Sequence, residues 1–348
     1  MKLPLFVAIA GAACASSAVA ENTIQLAEVY TPGLADEVVV TASRSPQQLQ
    51  DTLASTTLIT REQIEKSQAR DLYQLLRTVP GVSVKRNGGR GSSTSLSMRG
   101  GEASGTLILV DGVNVESATL GEVALQQISI DQIDRIEVTR GPKSSLYGSS
   151  AMNGVVQIFT RKAAPKNGVT YSAGLGSDNT RDGTISASGL GDTNRYNATL
   201  SYVESDGFDS MYLDDTVSSS DRYNYDDDGY HRAGASLNIE QDFSDILKGS
   251  VMFNKSQGQA EYDNRFLMDR MPHTEFESSV ATTALTLDLT EFTSKLQYGL
   301  VKDLSENFND MPDYTSFETR RNVGSWENSW SAIDWLTVNF GADYTHEE

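Results

Sequence analysis

Apolar and polar residues alternate along the second half of the chain. The alternation runs through residues 196–202, 233–239, 285–289 and 296–300, and it returns in residues 335–344. Successive side chains of a β-strand point to opposite faces, so this period predicts strands with one apolar face. Beyond residue 162 we count roughly nine such segments, separated by polar turns. The pattern predicts an antiparallel sheet.

Two features of this sheet favour a transmembrane β-barrel. The segments are about ten residues long, and the connections between them alternate short and long. Long connections are predicted at residues 204–229, 258–277 and 303–320, and Trp326 and Trp330 alternate with polar residues. In a barrel the apolar side chains face lipid and the polar ones face the lumen. The alternative is a soluble β-sandwich, which predicts shorter strands and shorter loops.

Residues 45–162 carry a different pattern, in which helix and strand signals are mixed. Thr60 and Gln63 have the spacing of a capping box, which predicts the start of a short helix. Asp71 stands before an apolar stripe and is placed to cap a second helix. Strand signals follow, the clearest of them at residues 106–110. This segment therefore predicts a compact α+β domain.

Residues 1–20 have the composition of a cleaved secretory signal peptide. Lys2 supplies the positive charge, residues 3–13 the apolar core, and residues 18–20 the small-residue cleavage site. The alternative is a lipoprotein signal that uses Cys14, the one cysteine of the chain. Cleavage after residue 20 leaves no cysteine, so we expect no disulfide in the mature protein.

Charge and histidine content argue against two classes of protein. The net charge of −19 opposes nucleic-acid binding, because phosphate recognition requires a cationic surface. His231, His273 and His346 are scattered and lack the spacing of a catalytic triad or a zinc site. We therefore expect no enzymatic activity. A secreted hydrolase, the alternative, would need a nucleophile–base pair that the sequence does not show.

Residues 130–162, IDQIDRIEVTRGPKSSLYGSSAMNGVVQIFTRK, resemble the end of the plug domain of TonB-dependent outer-membrane receptors. Two further segments match that domain: DLYQLLRTVPGVSV at residues 71–84, and Arg99-Gly100 followed by TLILVDG at residues 106–112. The resemblance implies an α+β plug domain followed by an antiparallel transmembrane β-barrel. Such receptors have barrels of about twenty-two strands, so the chain is interpreted as an N-terminal part with an incomplete barrel. The implied segments are a signal peptide (1–20), a mobile N-terminal segment (21–44), the plug (45–162) and a partial barrel (163–348). The implied location is the outer membrane of a Gram-negative bacterium.

A run of three valines interrupts the polar N-terminal segment. Consecutive β-branched residues favour an extended backbone, and an isolated strand can add to the edge of another protein's sheet. From the residues alone, the simpler interpretation is an ordinary first strand of the following domain. The family resemblance implies instead a TonB box that binds TonB in the periplasm, formed by Asp36, Glu37, Val38, Val39, Val40, Thr41 and Ala42.

Residues 86–101 form a loop rich in glycine and serine. The loop lacks the Gly-Lys-Ser/Thr ending of a P-loop, so we do not expect it to bind a nucleotide. The resemblance places residues 86–95 and 114–121 at the plug apices that contact the ligand. The substrate-binding residues that it implies are Asn87, Ser92, Ser95 and Asn114, and the alternative for each is a solvated loop residue.

Nine carboxylates and one arginine lie between Glu204 and Asp228. Such a run is ordinarily a solvated loop, but the aspartates before Gly229 offer oxygen ligands to a hard cation such as calcium. An EF-hand is excluded, because the glutamate at the twelfth loop position is missing. These acidic loops are similar to the calcium-binding loops of the cobalamin receptors in the family. The ligands implied by this similarity are Asp209, Asp226, Asp228, Asp263 and Asp269.

Together these features predict TonB-dependent uptake of a scarce nutrient, with cobalamin (vitamin B12) as the expected ligand. The alternative within the family is a ferric-siderophore receptor, although an anionic siderophore favours a basic, aromatic site. The alternative of another class is a passive porin or a surface adhesin. The plug motif and the valine segment argue against that class.

Overall fold

The computed structural model describes residues 39–40, 47–48, 54–119, 121–162, 167–210, 227–263, 272–310, 313–333 and 335–348. The predicted signal peptide and most of the N-terminal segment lie outside the described residues. The elements described up to residue 162 are β1 (Val39–Val40), β2 (Gln47–Gln48), β3 (Ser55–Ile59), α1 (Arg61–Ser67), α2 (Leu72–Leu76), β4 (Val82–Arg86), β5 (Thr94–Met98), β6 (Thr106–Val110), β7 (Val113–Asn114), β8 (Ile133–Arg140), α3 (Ser144–Tyr147) and β9 (Gly154–Thr160).

A five-stranded sheet with the order β3-β8-β9-β6-β7 forms the centre of this first part. Strands β6 and β9 are parallel, and the other neighbours are antiparallel. Strand β6 is buried along its whole length, which fits its continuous apolar sequence, TLILV. Leu76, Met98, Ile136 and Val138 have no exposed surface and lie in one core cluster. The prediction of an α+β fold is confirmed.

Both predicted helix caps are present. The backbone N–H of Gln63 donates to the Thr60 hydroxyl at 3.3 Å, and the Thr60 N–H donates to the Gln63 side chain at 2.9 Å. Asp71 accepts from the backbone N–H of Gln74 at 2.8 Å, and its second oxygen accepts from Arg86 at 2.9 Å. Asp71 therefore begins α2 and also joins this helix to β4. No helix within the described ranges is long and apolar enough to cross a membrane.

Gly154 permits the closest backbone approach in this part of the chain. Its φ is +154°, and a Cβ placed there would lie 2.4 Å from the Thr139 carbonyl oxygen and 2.5 Å from the sulfur of Met98. A side chain at this position would push β9 away from β8 and β5. The Gly-rich bend before β9 is therefore required by packing.

Nine long antiparallel strands follow, and they pair in chain order. The longest has 21 residues, which exceeds the usual strand length in a soluble sandwich. Within the described residues, the first and the last of these strands pair on one side only. The strands are β10 (Gly168–Leu175), β11 (Arg181–Leu190), β12 (Asn194–Ser205), β13 (Tyr230–Asp242), β14 (Leu247–Glu261), β15 (His273–Asp288), β16 (Phe292–Asp310), β17 (Asp313–Ile333) and β18 (Leu336–Glu347).

The two faces of this sheet meet different surroundings. On one face Met252, Val280 and Val301 are buried and pack in the same cluster as the core of the first domain. On the other face Phe253 and Leu300 are 40% and 46% exposed. We call these the inward and outward faces. The large exposed side chains of the outward face are those whose alternation predicted the strands.

Connections at the two ends of the sheet differ in length. At one end, the loop end, residues 206–229 and 262–272 connect strands; the other end, the turn end, has connections of a few residues. The third predicted long connection, residues 303–320, is wrong. Strand β16 continues to Asp310 and β17 begins at Asp313. Most residues of this stretch are polar, and its few apolar ones, such as Leu304 and Phe308, are too widely spaced to show the strand period.

Replacing Asp71, which caps α2 and binds Arg86, should destabilise the fold measurably. We expect Asp71→Ala to lower the free energy of unfolding by about 1–2 kcal/mol, because the helix loses its cap and Arg86 loses its partner. Asp71→Asn keeps a good cap and should lose less. Urea-induced unfolding followed by far-UV circular dichroism measures both; equal losses would contradict the capping role.

Candidate functional site

The loop between β4 and β5 is a closed hairpin at the loop end. The backbone N–H of Asn87 donates to Ser93 at 3.1 Å, and that of Ser92 donates to Gly89 at 3.4 Å. Gly88 has φ +128°, and a Cβ there would lie 2.8 Å from the Ser92 hydroxyl. We call residues 87–93 the apical loop. Gly88 is therefore needed to form the hairpin.

The apical loop packs against the loop end of β12 and β13. Gly91 has φ +89°, and a Cβ there would lie 2.1 Å from the ring of Tyr230. The Arg90 guanidinium lies 5.9 Å from the centroid of the same ring and donates to the Arg70 carbonyl at 2.8 Å. Tyr230 is buried. The sequence did not single out Arg90 or Tyr230, although an arginine between glycines could have drawn attention.

Three of the four predicted substrate-binding residues lie on this hairpin. Asn87 is exposed in the loop, Ser95 is half-buried on β5, and Ser92 is buried with its hydroxyl against Gly88. Asn114 lies elsewhere, on β7. Its side chain donates to Glu116 at 3.0 Å and accepts from the Glu116 N–H at 2.8 Å. Of the three predicted residues on the hairpin, Asn87 and Ser95 are thus accessible and Ser92 is not.

Acidic side chains converge beside the apical loop, around Ser210. The Ser210 backbone N–H donates to Asp228 at 3.2 Å, and its hydroxyl donates to Asp263 at 3.3 Å. Glu261, which the sequence did not single out, accepts from the Gly229 N–H at 2.9 Å. Ser210 also lies near Gly88. The acidic cluster of Asp209, Asp228, Glu261 and Asp263 therefore adjoins the predicted ligand surface.

The electrostatics of this cluster suit a cation. Burial raises the pKa of Asp228, hydrogen bonds from Ser210 lower it, and the negative charges of Asp209 and Glu261 raise it further. A bound cation would relieve this repulsion, and carboxylates are the ligands that calcium prefers. In the described part of the chain, however, no three acidic or histidine side chains stand close enough to form a metal-binding group. The other two predicted ligands, Asp226 and Asp269, lie outside the described residues.

Only two residues of the predicted TonB box are described. Val39 and Val40 pair antiparallel with Gln48 and Gln47, and form a two-residue ladder. Asp36, Glu37, Val38, Thr41 and Ala42 lie outside the described residues.

Inward-facing side chains of the nine-stranded sheet bind the backbone of the first domain. Arg232 donates to the carbonyls of Gln126 and Ile128, each at 3.2 Å. Arg321 donates to the Asn114 carbonyl at 2.9 Å, and Gln297 donates to the Asp111 carbonyl at 3.0 Å. Sequence reasoning missed these contacts. A charged residue at an inward strand position is the signal that could have indicated them.

A cavity with apolar and polar lining residues lies between residues 124–132 and strands β14, β15 and β16. Buried oxygen or nitrogen atoms of Gln127, Gln132 and Ser256 line it and have no hydrogen-bond partner among the described residues. Buried polar groups of this kind ordinarily bind ordered water. The interface between the first domain and the sheet therefore combines the apolar packing of Met252, Val280 and Val301 with a small cavity that has room for water.

The sequence and the fold both have known counterparts. Residues 48–155 match the family described as TonB-dependent Receptor Plug Domain. The Vitamin B12 transporter BtuB of Photobacterium profundum is 30% identical over 312 residues, which cover 89% of this chain and 50% of that protein. BtuB of Vibrio cholerae serotype O1 is 32% identical over 318 residues, or 90% of this chain and 51% of that protein. The chain spans about half the length of the curated relatives it matches.

Solved structures of TonB-dependent receptors share the fold. The siderophore receptor PirA from Acinetobacter baumannii has a TM-score of 0.68 at 20% identity, covering 84% of this chain and 48% of that one. The ferric-catecholate import receptor Fiu from E. coli K12 has a TM-score of 0.66 at 16% identity, covering 89% and 52%. The chain therefore has a plug domain followed by antiparallel strands of a transmembrane barrel. The resemblance indicated by its motifs is confirmed, and the relatives named are transporters and receptors.

The fit of the apical loop against Tyr230 can be tested by adding one methyl group. We expect Gly91→Ala to displace the loop, because its Cβ would overlap the Tyr230 ring and the residue would be strained at positive φ. Trypsin should then cleave after Arg90 several times faster. Gly89→Ala is the matched control, because its Cβ would meet Phe208 at an ordinary 3.8 Å. Equal cleavage rates in both variants would contradict the packing described here.

Proposed function

We propose that this chain belongs to a TonB-dependent transporter that takes up cobalamin across the outer membrane. The observation that carries the proposal is the position of Asp209, Asp228 and Asp263 beside the apical loop, where Ser210 donates to both Asp228 and Asp263. The relatives named as vitamin B12 transporters support it at 30–32% identity. Calcium held by these three aspartates together with the predicted ligands Asp226 and Asp269 would order the acidic loops and complete the ligand surface.

The proposed mechanism contains no covalent step, so the chain is not an enzyme. Cobalamin binds at the loop end, in contact with Asn87, Ser95 and the acidic loops, and with smaller contributions from Ser92 and Asn114. A strand of TonB then pairs with residues 36–42, and TonB pulls on the plug. Movement of the plug has to break the contacts of Arg232 and Arg321 with its backbone. Ligand site and TonB box are linked through the plug by a coupling free energy.

This function implies where the protein is located and what each segment of the chain does. Residues 1–20 direct export and are removed, and residues 21–44 present the TonB box in the periplasm. Residues 45–162 form the plug, and residues 163–348 contribute barrel strands to the outer membrane. The loop end of the sheet then faces the outside of the cell, and the turn end faces the periplasm.

Two other functions fit less of the structure. A ferric-siderophore receptor is supported by the fold of PirA and Fiu alone, and the acidic cluster would repel an anionic siderophore. A passive porin or adhesin does not account for Arg232, Arg321 and Gln297, which bind the plug backbone inside the sheet.

Calcium-linked cobalamin binding is the decisive test. We expect calcium to tighten the equilibrium binding of cyanocobalamin about tenfold, and Asp228→Asn to remove most of this effect. Asp245→Asn, in the exposed turn between β13 and β14, is the control of equal charge change. Tight binding of a ferric siderophore, without calcium-linked binding of cobalamin, would refute the assignment.

The TonB box can be tested by removing one backbone donor. Val39→Pro deletes an N–H and opposes strand pairing, so binding to the soluble domain of TonB should be lost. Val39→Thr keeps a β-branched residue and should bind nearly as well. Calorimetric titration measures both variants. Undiminished binding of the proline variant would show that TonB docks elsewhere.

A further inference from the structure

A row of three cations crosses the outward face of the sheet. Lys255 on β14 and Lys302 on β16 both lie opposite Ser279 of the strand between them, and Lys302 lies opposite Arg320 on β17. Opposite residues of adjacent strands project from the same face. The side chains of the two lysines are each 36% exposed, and that of Arg320 is 63% exposed. We call Lys255, Lys302 and Arg320 the cationic row.

Apolar side chains adjoin this row on the side of the turn end. Two residues away along their strands, Phe253, Ala281 and Leu300 form the next row of the same face. Phe253 and Leu300 are among the exposed large hydrophobic residues. The cationic row is therefore the border of an apolar surface that faces away from the plug.

The distance across this apolar surface matches the hydrocarbon core of an outer membrane. Phe292 pairs with Trp330 at the turn end, and Lys302 follows Phe292 by ten residues on β16. At about 3.3 Å per residue and a strand tilt of about 40°, this separation spans about 25 Å of depth. That is the height of the apolar band of outer-membrane barrels, which aromatic residues flank. The cationic row then lies at the level of the lipid headgroups.

Two glutamates hold the row in place without using all of its donors. Glu277 binds Lys255 at 3.3 Å and Lys302 at 3.2 Å, so the two ammonium groups lie side by side. Glu318 binds Arg320 at 2.9 Å. Each ammonium has three N–H donors and each guanidinium five, so the ion pairs found among the described residues leave donors on all three cations for an anion.

We propose that the cationic row binds the phosphate of an anionic lipid headgroup, with the lipid's acyl chains against Phe253 and Leu300. Charge complementarity selects the occupant, because phosphate oxygens accept from lysine and arginine and the adjoining surface is apolar. The inference rests on the proposed placement in the outer membrane. It adds a specific lipid contact that ligand uptake does not require.

The headgroup site is tested by measuring lipid binding to the detergent-purified chain. The two lipids compared are phosphatidylglycerol and phosphatidylcholine with identical acyl chains, and native mass spectrometry measures the binding of each. We expect the double variant Lys255→Gln/Lys302→Gln to bind phosphatidylglycerol about tenfold more weakly and phosphatidylcholine unchanged. The double variant Lys248→Gln/Lys295→Gln removes the same charge from the same two strands. Its residues belong to the inward face, so it should bind both lipids as the unsubstituted chain does.

The outcomes separate the two proposals. Equal weakening in both double variants, or no preference of the unsubstituted chain for phosphatidylglycerol, would overturn the headgroup site. Failure to bind either lipid would contradict the membrane placement itself. If circular dichroism shows that the lysine variants do not fold, the salt dependence of lipid binding to the unsubstituted chain is the second measurement. Binding of phosphatidylglycerol to the unsubstituted chain must weaken as ionic strength rises, and a salt-independent affinity would refute the site.

Discussion

Along the described middle strands of the nine-stranded sheet, neighbouring residues lie in two different environments, because side chains alternate between the faces of a strand. Val301 lies in the core shared with the plug, while its neighbour Leu300 is exposed on the opposite face. A shift of one residue in register would exchange the two sets. The contacts of Arg232 and Arg321 with the plug, and the position of Tyr230 under the apical loop, all depend on that register.

The sequence predicted best what depends on neighbours a few residues apart. The cap of α1 was found because Thr60 and Gln63 are three residues apart, and that of α2 because Asp71 stands directly before an apolar stripe. The strands were visible wherever lipid-facing apolar residues alternate with polar ones. Where β16 and β17 extend past the apolar band, most residues on both faces are polar and the period is lost, so residues 303–320 were mistaken for a loop.

The candidate site depends on contacts between distant parts of the chain, and it was only partly foreseen. Individual aspartates were recognisable from composition, but Ser210 as the residue between Asp228 and Asp263 was not. The Arg90–Tyr230 contact joins residues 140 positions apart and depends on how the plug sits against β13. Composition indicates which side chains could form a site, whereas packing between distant segments decides which of them come into contact.

The contacts that hold the plug have a consequence for how such a protein can change over generations. Arg232, Arg321 and Gln297 all donate to main-chain carbonyl oxygens of the plug. A carbonyl oxygen is present whatever the side chain, so these bonds place no demand on the identity of Gln126, Asn114 or Asp111. Substitutions at these three plug positions can therefore accumulate while the bonds that fix the plug to the sheet stay the same.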